Sequence, residues 1–89
     1  MITKKITIIN KLGLHARAAA KFVATASKYT SELIVIKNNQ QVNGKSIMGV
    51  MMLAASKGTE LEIKVDGEDE VSLLDALETL INNYFDEKE

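Results

Sequence analysis

The only histidine, His15, lies two residues before Arg17, where a turn sequence gives way to an alanine-rich segment with helical periodicity. The first turn of a helix exposes backbone N–H groups and a partial positive charge, which favour a bound phosphate or another anion. An imidazole nitrogen is a nucleophile, and an arginine side chain can donate two hydrogen bonds to one phosphate. These residue types at this spacing predict a site where His15 carries a phosphoryl group and Arg17 stabilises it. A histidine at an ordinary loop-to-helix junction, beside a surface arginine, is the alternative that the spacing leaves open.

Ser46 begins a second segment of helical character and follows Gly44 and Lys45. Serine is favoured at a helix N-cap, so we expect its hydroxyl to accept a hydrogen bond from the first turn. The same hydroxyl is a candidate phosphorylation site, because the helix dipole would accommodate the added negative charge. Nucleotide binding is not predicted, since a P-loop needs a glycine five residues before Gly44, where Asn39 stands.

The segment after Ser46 is apolar around almost its whole circumference, which is more than one sheet face can bury. We predict that Ile47, Met48 and Met51 form an exposed patch that docks partner proteins, because flexible methionine side chains adapt to several surfaces. Complete burial of these side chains in the core is the alternative. Nucleic-acid binding is not predicted, because aromatic residues make up only 4% of the chain and no pair falls on a predicted strand.

Length and composition limit the classes of protein to which the chain can belong. The chain has 89 residues, 46% hydrophobic and 26% charged, which suits one globular domain spanning residues 1–89. The absence of cysteine excludes a disulfide framework, and one histidine without a thiol excludes the usual zinc sites. The apolar segments are shorter than the roughly 20 residues of a spanning helix, and no signal-peptide pattern is visible. We therefore expect a cytoplasmic monomer with no membrane insertion, metal or cofactor.

Charge is distributed unevenly along the chain. Residues 1–45 contain eight of the 11 basic residues and one acid, Glu32, whereas the other 11 of the 12 acids come later. If the basic half forms one face of the folded protein, that face would attract an anionic partner. The alternative is that both signs intersperse once the chain is folded.

Hydrophobic periodicity predicts the order of the secondary-structure elements. The expected elements are a strand at residues 2–9, a helix at 16–27, a hairpin of strands at 33–37 and 40–42 around Asn38-Asn39, a helix from the Ser46 cap through about Leu53 that Gly58 ends, a strand at 60–65, and a last helix whose apolar face runs from Leu73 to Phe85. Glu68, Asp69 and Glu70 lie where the start of that last helix favours negative charge. The order βαββαβα predicts an α+β fold, an open-faced β-sandwich in which three helices cover one face of a four-stranded antiparallel sheet.

Four blocks of the sequence resemble the histidine-containing phosphocarrier (HPr) family of the bacterial phosphoenolpyruvate-dependent sugar phosphotransferase system. The blocks are Gly13-Leu14-His15-Ala16-Arg17, Gly44-Lys45-Ser46-Ile47-Met48-Gly49-Val50-Met51, Lys57-Gly58 and Gly67-Glu68-Asp69-Glu70. The resemblance covers essentially the whole chain, and its fold agrees with the predicted element order.

The resemblance implies a role for each candidate residue. It implies that His15 accepts a phosphoryl group on Nδ1 from enzyme I and passes it to a sugar-specific enzyme II component. Arg17 corresponds to the family's phosphate-stabilising arginine, and Ser46 to the serine phosphorylated by an ATP-dependent HPr kinase/phosphorylase. The expected backbone cradle for the phosphate is Ala16, Arg17 and Ala18, and the expected docking residues are Ala20, Ile47, Met48 and Met51.

Ala18 departs from the family pattern, because most members have proline there. Proline lacks an N–H group, so alanine restores one donor to the first turn, and we expect that donor to help hold the phosphate. Two other functions remain open. One is a regulatory phosphorelay protein of the same family that acts mainly through Ser46 and does not serve sugar transport. The other is a small hydrolase or ligand-binding domain, which is disfavoured because no second catalytic group lies near His15 in the sequence.

Overall fold

A computed structural model describes residues 1–87, and this part of the chain contains four strands and three α-helices. In chain order these are β1 (Ile2–Thr7), α1 (Ala16–Ala26), β2 (Glu32–Lys37), β3 (Gln40–Asn43), α2 (Ile47–Met52), β4 (Glu60–Asp66) and α3 (Glu70–Asn82), followed by a short turn at Tyr84–Asp86. The predicted βαββαβα order is confirmed.

The strands form one antiparallel sheet in the spatial order β1-β4-β2-β3. The last strand along the chain, β4, thus lies in the interior of the sheet between β1 and β2. Leu61, Ile63 and Val65 of this strand are fully buried, while Glu62 and Lys64 alternate with them and face the open side. All three helices pack on the apolar side of the sheet, so the predicted open-faced sandwich is confirmed.

The core lies between the sheet and the helices. Its largest fully buried side chains include Phe22 of α1, Val50 of α2 and Leu77 of α3. The apolar stripe of each helix therefore faces the sheet, as the helical periodicity predicts. The β2–β3 hairpin turns at Asn38 and Asn39, whose φ angles of 48° and 71° are those of a tight turn that asparagine tolerates.

The two signs of charge intersperse across much of the fold. The basic strand β1 pairs with the acidic strand β4, which places Lys5 opposite Glu62. Lys4 reaches α3, where its Nζ lies 2.5 Å from Glu78 Oε2. The alternative of interspersed charge thus describes the sheet, because the strand order brings the basic and acidic halves of the chain together.

Three predicted boundaries are wrong. β1 ends at Thr7 because residues 8 and 9 leave the β4 ladder, although the Ile8 N–H still donates to the Thr59 carbonyl at 2.9 Å. Gly58 does not end α2, which stops at Met52 before Ala54 enters the left-handed region at φ 50°; Gly58 lies in the later turn before β4. Finally, α3 ends at Asn82, so Phe85 belongs to a separate turn rather than to the helix.

Candidate functional site

The loop between β1 and α1 is held against the loop after α2 by Gly13. This residue has φ 67°, and an added Cβ would lie 2.4 Å from the Ala55 carbonyl oxygen. Only glycine combines this conformation with this close approach. The next N–H, of Leu14, donates to the same Ala55 carbonyl at 2.8 Å. The residue before His15 is therefore fixed by backbone contacts.

His15 is the N-cap residue of α1. Its backbone is extended, with φ −72° and ψ 178°, and its carbonyl accepts the first helical hydrogen bond from the Ala19 N–H at 2.8 Å. Within residues 1–87 its side chain caps no N–H of the helix, and 29% of that side chain is exposed. The first turn of α1 contains no acidic residue that would neutralise the positive end of the helix dipole. The dipole of α1 by itself would therefore favour an anion at His15.

Glu87 binds the His15 ring, which the sequence analysis did not foresee. Its Oε2 lies 2.6 Å from His15 Nε2, and its Oε1 accepts a hydrogen bond from Asn10 Nδ2 at 3.1 Å. Burial opposes ionisation of this carboxyl, but the hydrogen bonds from His15 and Asn10, with the charges of His15 and Lys21, outweigh it and lower the pKa of Glu87. The carboxyl is therefore ionised near neutral pH.

The turn after α3 brings Glu87 to the site. Tyr84, Phe85 and Asp86 all have left-handed backbones, with φ of 58°, 53° and 63°. Such conformations cost roughly 1–2 kcal/mol per residue for side chains other than glycine. Burial of the Phe85 ring and a 2.7 Å hydrogen bond from Lys21 Nζ to the Phe85 carbonyl offset this strain. The helical periodicity of α3 carries no signal for this reversal.

The predicted cradle residues Ala16, Arg17 and Ala18 and the predicted docking residue Ala20 differ in exposure. Ala16, Arg17 and Ala20 are exposed on α1, whereas Ala18 is fully buried and its side chain belongs to the core. The N–H groups of residues 16–18 open the helix, and their roles in binding phosphate stay predictions.

Ser46 caps α2 as predicted. Its backbone is extended, and its Oγ accepts a hydrogen bond from the Gly49 N–H at 3.1 Å. Beside it, Ile47, Met48 and Met51 are exposed, Met48 to 73%, while Val50 and Leu53 are buried. Met52, which the sequence analysis left out of the patch, is 67% exposed. We call Ile47, Met48, Met51 and Met52 the α2 patch.

No helix within residues 1–87 is both long enough and apolar enough to cross a membrane.

Known proteins are similar to this chain in sequence and in fold. The family model for the PTS HPr component phosphorylation site matches residues 2–83. The phosphocarrier protein HPr of Neisseria meningitidis serogroup A is 60% identical over 89 residues, covering 100% of both chains. The HPr of Pseudomonas aeruginosa is 60% identical over 86 residues, covering 96% of each chain. A crystal structure of HPr from Thermoanaerobacter tengcongensis superimposes with a TM-score of 0.96 at 47% identity over 100% of both chains.

These similarities define the class as phosphocarrier proteins of the phosphotransferase system. The chain belongs to the HPr family.

Proposed function

We propose that this protein accepts a phosphoryl group on His15 from phospho-enzyme I and passes it to a sugar-specific enzyme II component. The observation that carries the proposal is the placement of a partly exposed His15 side chain, not used for capping, at the N-terminus of α1. In this step the Nδ1 lone pair attacks phosphorus, and the bond from phosphorus to its donor atom on enzyme I breaks. The protein acts as a carrier rather than an enzyme, because the group stays covalently bound until the next acceptor takes it.

Stabilisation of the phosphoryl group falls to the groups around His15. Phosphoryl transfer depends mainly on positioning and on electrostatic stabilisation of the oxygens. The N–H groups of Ala16, Arg17 and Ala18 supply fixed donors at the positive end of α1, and the exposed Arg17 side chain supplies a full charge.

Ser46 is the proposed regulatory site. Its Oγ lies at the start of α2 beside the α2 patch, so a phosphate there would add up to two negative charges next to Ile47 and Met48. Apolar docking onto this surface would then require burial of charge, which is unfavourable. An HPr kinase/phosphorylase using ATP is the proposed modifying enzyme.

The docking surface is proposed to consist of Ala20 with Ile47, Met48 and Met51. All four residues are exposed, and α1 packs against α2, so both helices belong to one side of the molecule. We propose a cytoplasmic monomer of one domain for this role, with no nucleic-acid partner.

Phosphorylation of the purified protein tests this function. The protein is incubated with phosphoenolpyruvate, magnesium and a matched enzyme I, and its intact mass is measured before and after acid treatment. The expected result is an acid-labile gain of one phosphoryl group that is absent from His15→Ala. No gain in the wild-type protein would contradict the carrier function. Phosphorylation of Ser46 by ATP and an HPr kinase would then favour the regulatory alternative, since a phosphate on Ser46 would add charge beside the proposed docking surface.

A further inference from the structure

We propose that Met48, Met51 and Met52 make the docking surface of this protein sensitive to oxidation, because conversion of their thioethers to sulfoxides turns an apolar surface into a polar one. The oxidant is a peroxide, and the surface affected is the one that binds enzyme I in the proposed function. This inference deepens the proposed carrier function and rests on it for the consequence in phosphoryl transfer. The oxidation of the side chains can be observed without any partner protein.

Three of the four methionines of the chain lie in the α2 patch. Met48 is 73% exposed and Met52 is 67% exposed, whereas Met51 is 40% exposed. Methionine more often fills gaps inside a core, where oxidants have little access. Oxidation of a methionine sulfur depends on exposure, so a peroxide reaches Met48 and Met52 before Met51.

The fold of α2 does not depend on these three side chains. Val50 is fully buried and Leu53 is 1% exposed, so they fix the helix to the core. Ser46 caps the start of α2, and at its end Lys37 Nζ donates to the Leu53 carbonyl at 2.9 Å. Sulfoxides would therefore form on the surface, and no polar group would enter the core. Oxidation would change the docking surface while the protein stays folded.

The reaction adds one oxygen atom to each sulfur. A sulfur lone pair attacks one oxygen of hydrogen peroxide, and the S–O bond forms as the O–O bond breaks. Hydroxide departs and takes the proton from the new S–OH group to become water. The thioether is oxidised by two electrons and the peroxide is reduced by two. Methionine sulfoxide reductases reverse the change with a dithiol, which becomes a disulfide as the oxygen leaves in water.

A sulfoxide weakens apolar docking without adding charge. Its oxygen is a hydrogen-bond acceptor, and burying that acceptor against an apolar partner surface is unfavourable. A phosphate on Ser46 would instead place charge beside the same surface. The two modifications therefore differ in their response to salt, which screens charge and has little effect on a neutral dipole. The chain contains no cysteine, so its only sulfur atoms are those of methionines.

Met1 provides an internal control. It is 76% exposed, which makes its sulfur as accessible as that of Met48. Its amino group lies 3.2 Å from Glu70 Oε2 at the start of α3. Met1 precedes β1, which forms the edge of the sheet opposite β3, the strand against which α2 packs. Oxidation of Met1 would therefore accompany oxidation of the α2 patch but leave the docking surface unchanged.

Peroxide treatment followed by mass spectrometry tests which methionines react. The protein is incubated with hydrogen peroxide, catalase removes the excess, and fragment-ion mass spectrometry locates each sulfoxide. We expect Met1, Met48 and Met52 to be oxidised several-fold faster than Met51. Thermal unfolding of the oxidised protein should change by no more than a few degrees, because the modified side chains lie outside the core.

Transfer and binding measurements test the consequence. The rate of transfer from phospho-enzyme I and the affinity for enzyme I, measured by calorimetry, are compared between treated and untreated forms of each protein. In the wild type we expect both to fall about tenfold on oxidation, with an unchanged salt dependence, and to recover after treatment with sulfoxide reductases. The matched variant Met48→Leu/Met51→Leu/Met52→Leu keeps an apolar patch and still oxidises at Met1, so peroxide should change neither quantity.

The outcomes separate this inference from the carrier function. Unchanged affinity and transfer in a wild-type protein that carries all three sulfoxides would overturn the inference, as would an equal loss in the leucine variant. A protein that binds enzyme I and loses that binding on oxidation, yet gains no phosphoryl group, would support the inference while the carrier function fails. A protein that does not bind enzyme I before oxidation would overturn both. Unfolding of the oxidised protein would show that the sulfur atoms are needed in the core and would also overturn the inference.

Discussion

The placement of His15 depends on Gly13, two residues earlier in the chain. Gly13 combines a left-handed backbone with an approach to the Ala55 carbonyl that leaves no room for a Cβ. Gly58 has a left-handed backbone too, at φ 90°, but an added Cβ there meets nothing within 4 Å. Alanine substitutions at these two glycines therefore distinguish the cost of backbone strain from the cost of a steric clash.

Gly13→Ala is expected to lower the free energy of unfolding by about 2 kcal/mol or more, because strain and a backbone clash add. Gly58→Ala is expected to lower it by about 1 kcal/mol, from strain alone. Urea denaturation of the three proteins measures both differences. Equal losses in the two variants would show that the contact between Gly13 and Ala55 does not constrain the loop before His15.

At the scale of the elements, a short-range hydrogen bond caps α2, whereas long-range hydrogen bonds connect α3 to a distant loop. Ser46 caps α2 through Gly49, three residues away. At the start of α3 the carboxylate of Asp69 caps no N–H of its own helix within the described chain. It accepts instead from the Thr30 and Ser31 N–H groups, each at 2.9 Å, and from the Ser31 hydroxyl. Asp69 thereby joins α3 to the loop between α1 and β2.

Ser46 variants separate stability from regulation. Ser46→Ala removes the cap and is expected to lower the free energy of unfolding by about 1 kcal/mol, whereas Ser46→Asp keeps an N-cap acceptor and nearly all of the stability. Transfer from phospho-enzyme I should change in the opposite sense, slowing in Ser46→Asp, which adds charge beside the α2 patch, and not in Ser46→Ala. Denaturation and transfer kinetics of both variants give the two readouts. Transfer that slows in proportion to lost stability would argue against a regulatory charge.

Asp69 makes the stability of the folded protein depend on pH in the acidic range. The hydrogen bond from the Ser31 hydroxyl, followed by that from the Thr30 N–H, lowers the pKa of Asp69 from 3.8 to about 2. The unfolded chain therefore binds the proton more readily than the folded one between these values. The resulting stabilisation is fully present above pH 3.8 and is lost as the pH falls through about 2.

Asp69→Asn should accordingly lower the unfolding temperature at pH 7 and flatten its fall between about pH 4 and pH 2. Glu68→Gln removes a neighbouring exposed acid and serves as the control. Thermal unfolding followed by circular dichroism across this range measures the effect. An Asp69→Asn protein with the same acid sensitivity as the wild type would show that another carboxyl causes it.

For the whole molecule, the net charge of −1 conceals where the charges lie. Pairing of β1 with β4 mixes the signs over the sheet, yet Arg17 at the start of α1 and Lys28 just after its end remain exposed. These exposed cations would attract an acidic partner to one region of the surface even though the net charge of the protein is −1. At moderate ionic strength, salt screens such attraction between charges that are more than about 10 Å apart.

Transfer from phospho-enzyme I is therefore expected to slow as salt rises from about 20 mM to about 500 mM. Lys28→Gln should slow transfer several-fold at low salt and weaken the salt dependence. Lys64→Gln, which removes a charge from the open face of the sheet, should do neither. Stopped-flow kinetics at several salt concentrations measures both. A rate that is independent of salt, or equal effects of the two variants, would rule out electrostatic steering by Arg17 and Lys28.

The sequence by itself determined the features that depend on neighbouring residues. Periodicity identified all seven elements, the Ser46 cap needed only a partner three residues on, and His15 and Arg17 lie two positions apart at the start of one helix. Exposure of Ile47, Met48 and Met51 also followed from sequence, since one sheet face cannot bury a helix that is apolar all round; exposure of Met52 did not.

Tertiary structure decided what depends on residues far apart in the chain. His15 and Glu87 are 72 positions apart, and their contact requires α3 to end at Asn82 and the backbone to reverse through three left-handed residues. No local preference favours that turn; burial of Phe85 and the Lys21 hydrogen bond stabilise it only after α1 and α3 have packed together. The mixing of charge has the same origin, because strand order follows from how the whole sheet buries its apolar face. Local propensities are encoded within a few residues, whereas these contacts exist only once the core has formed.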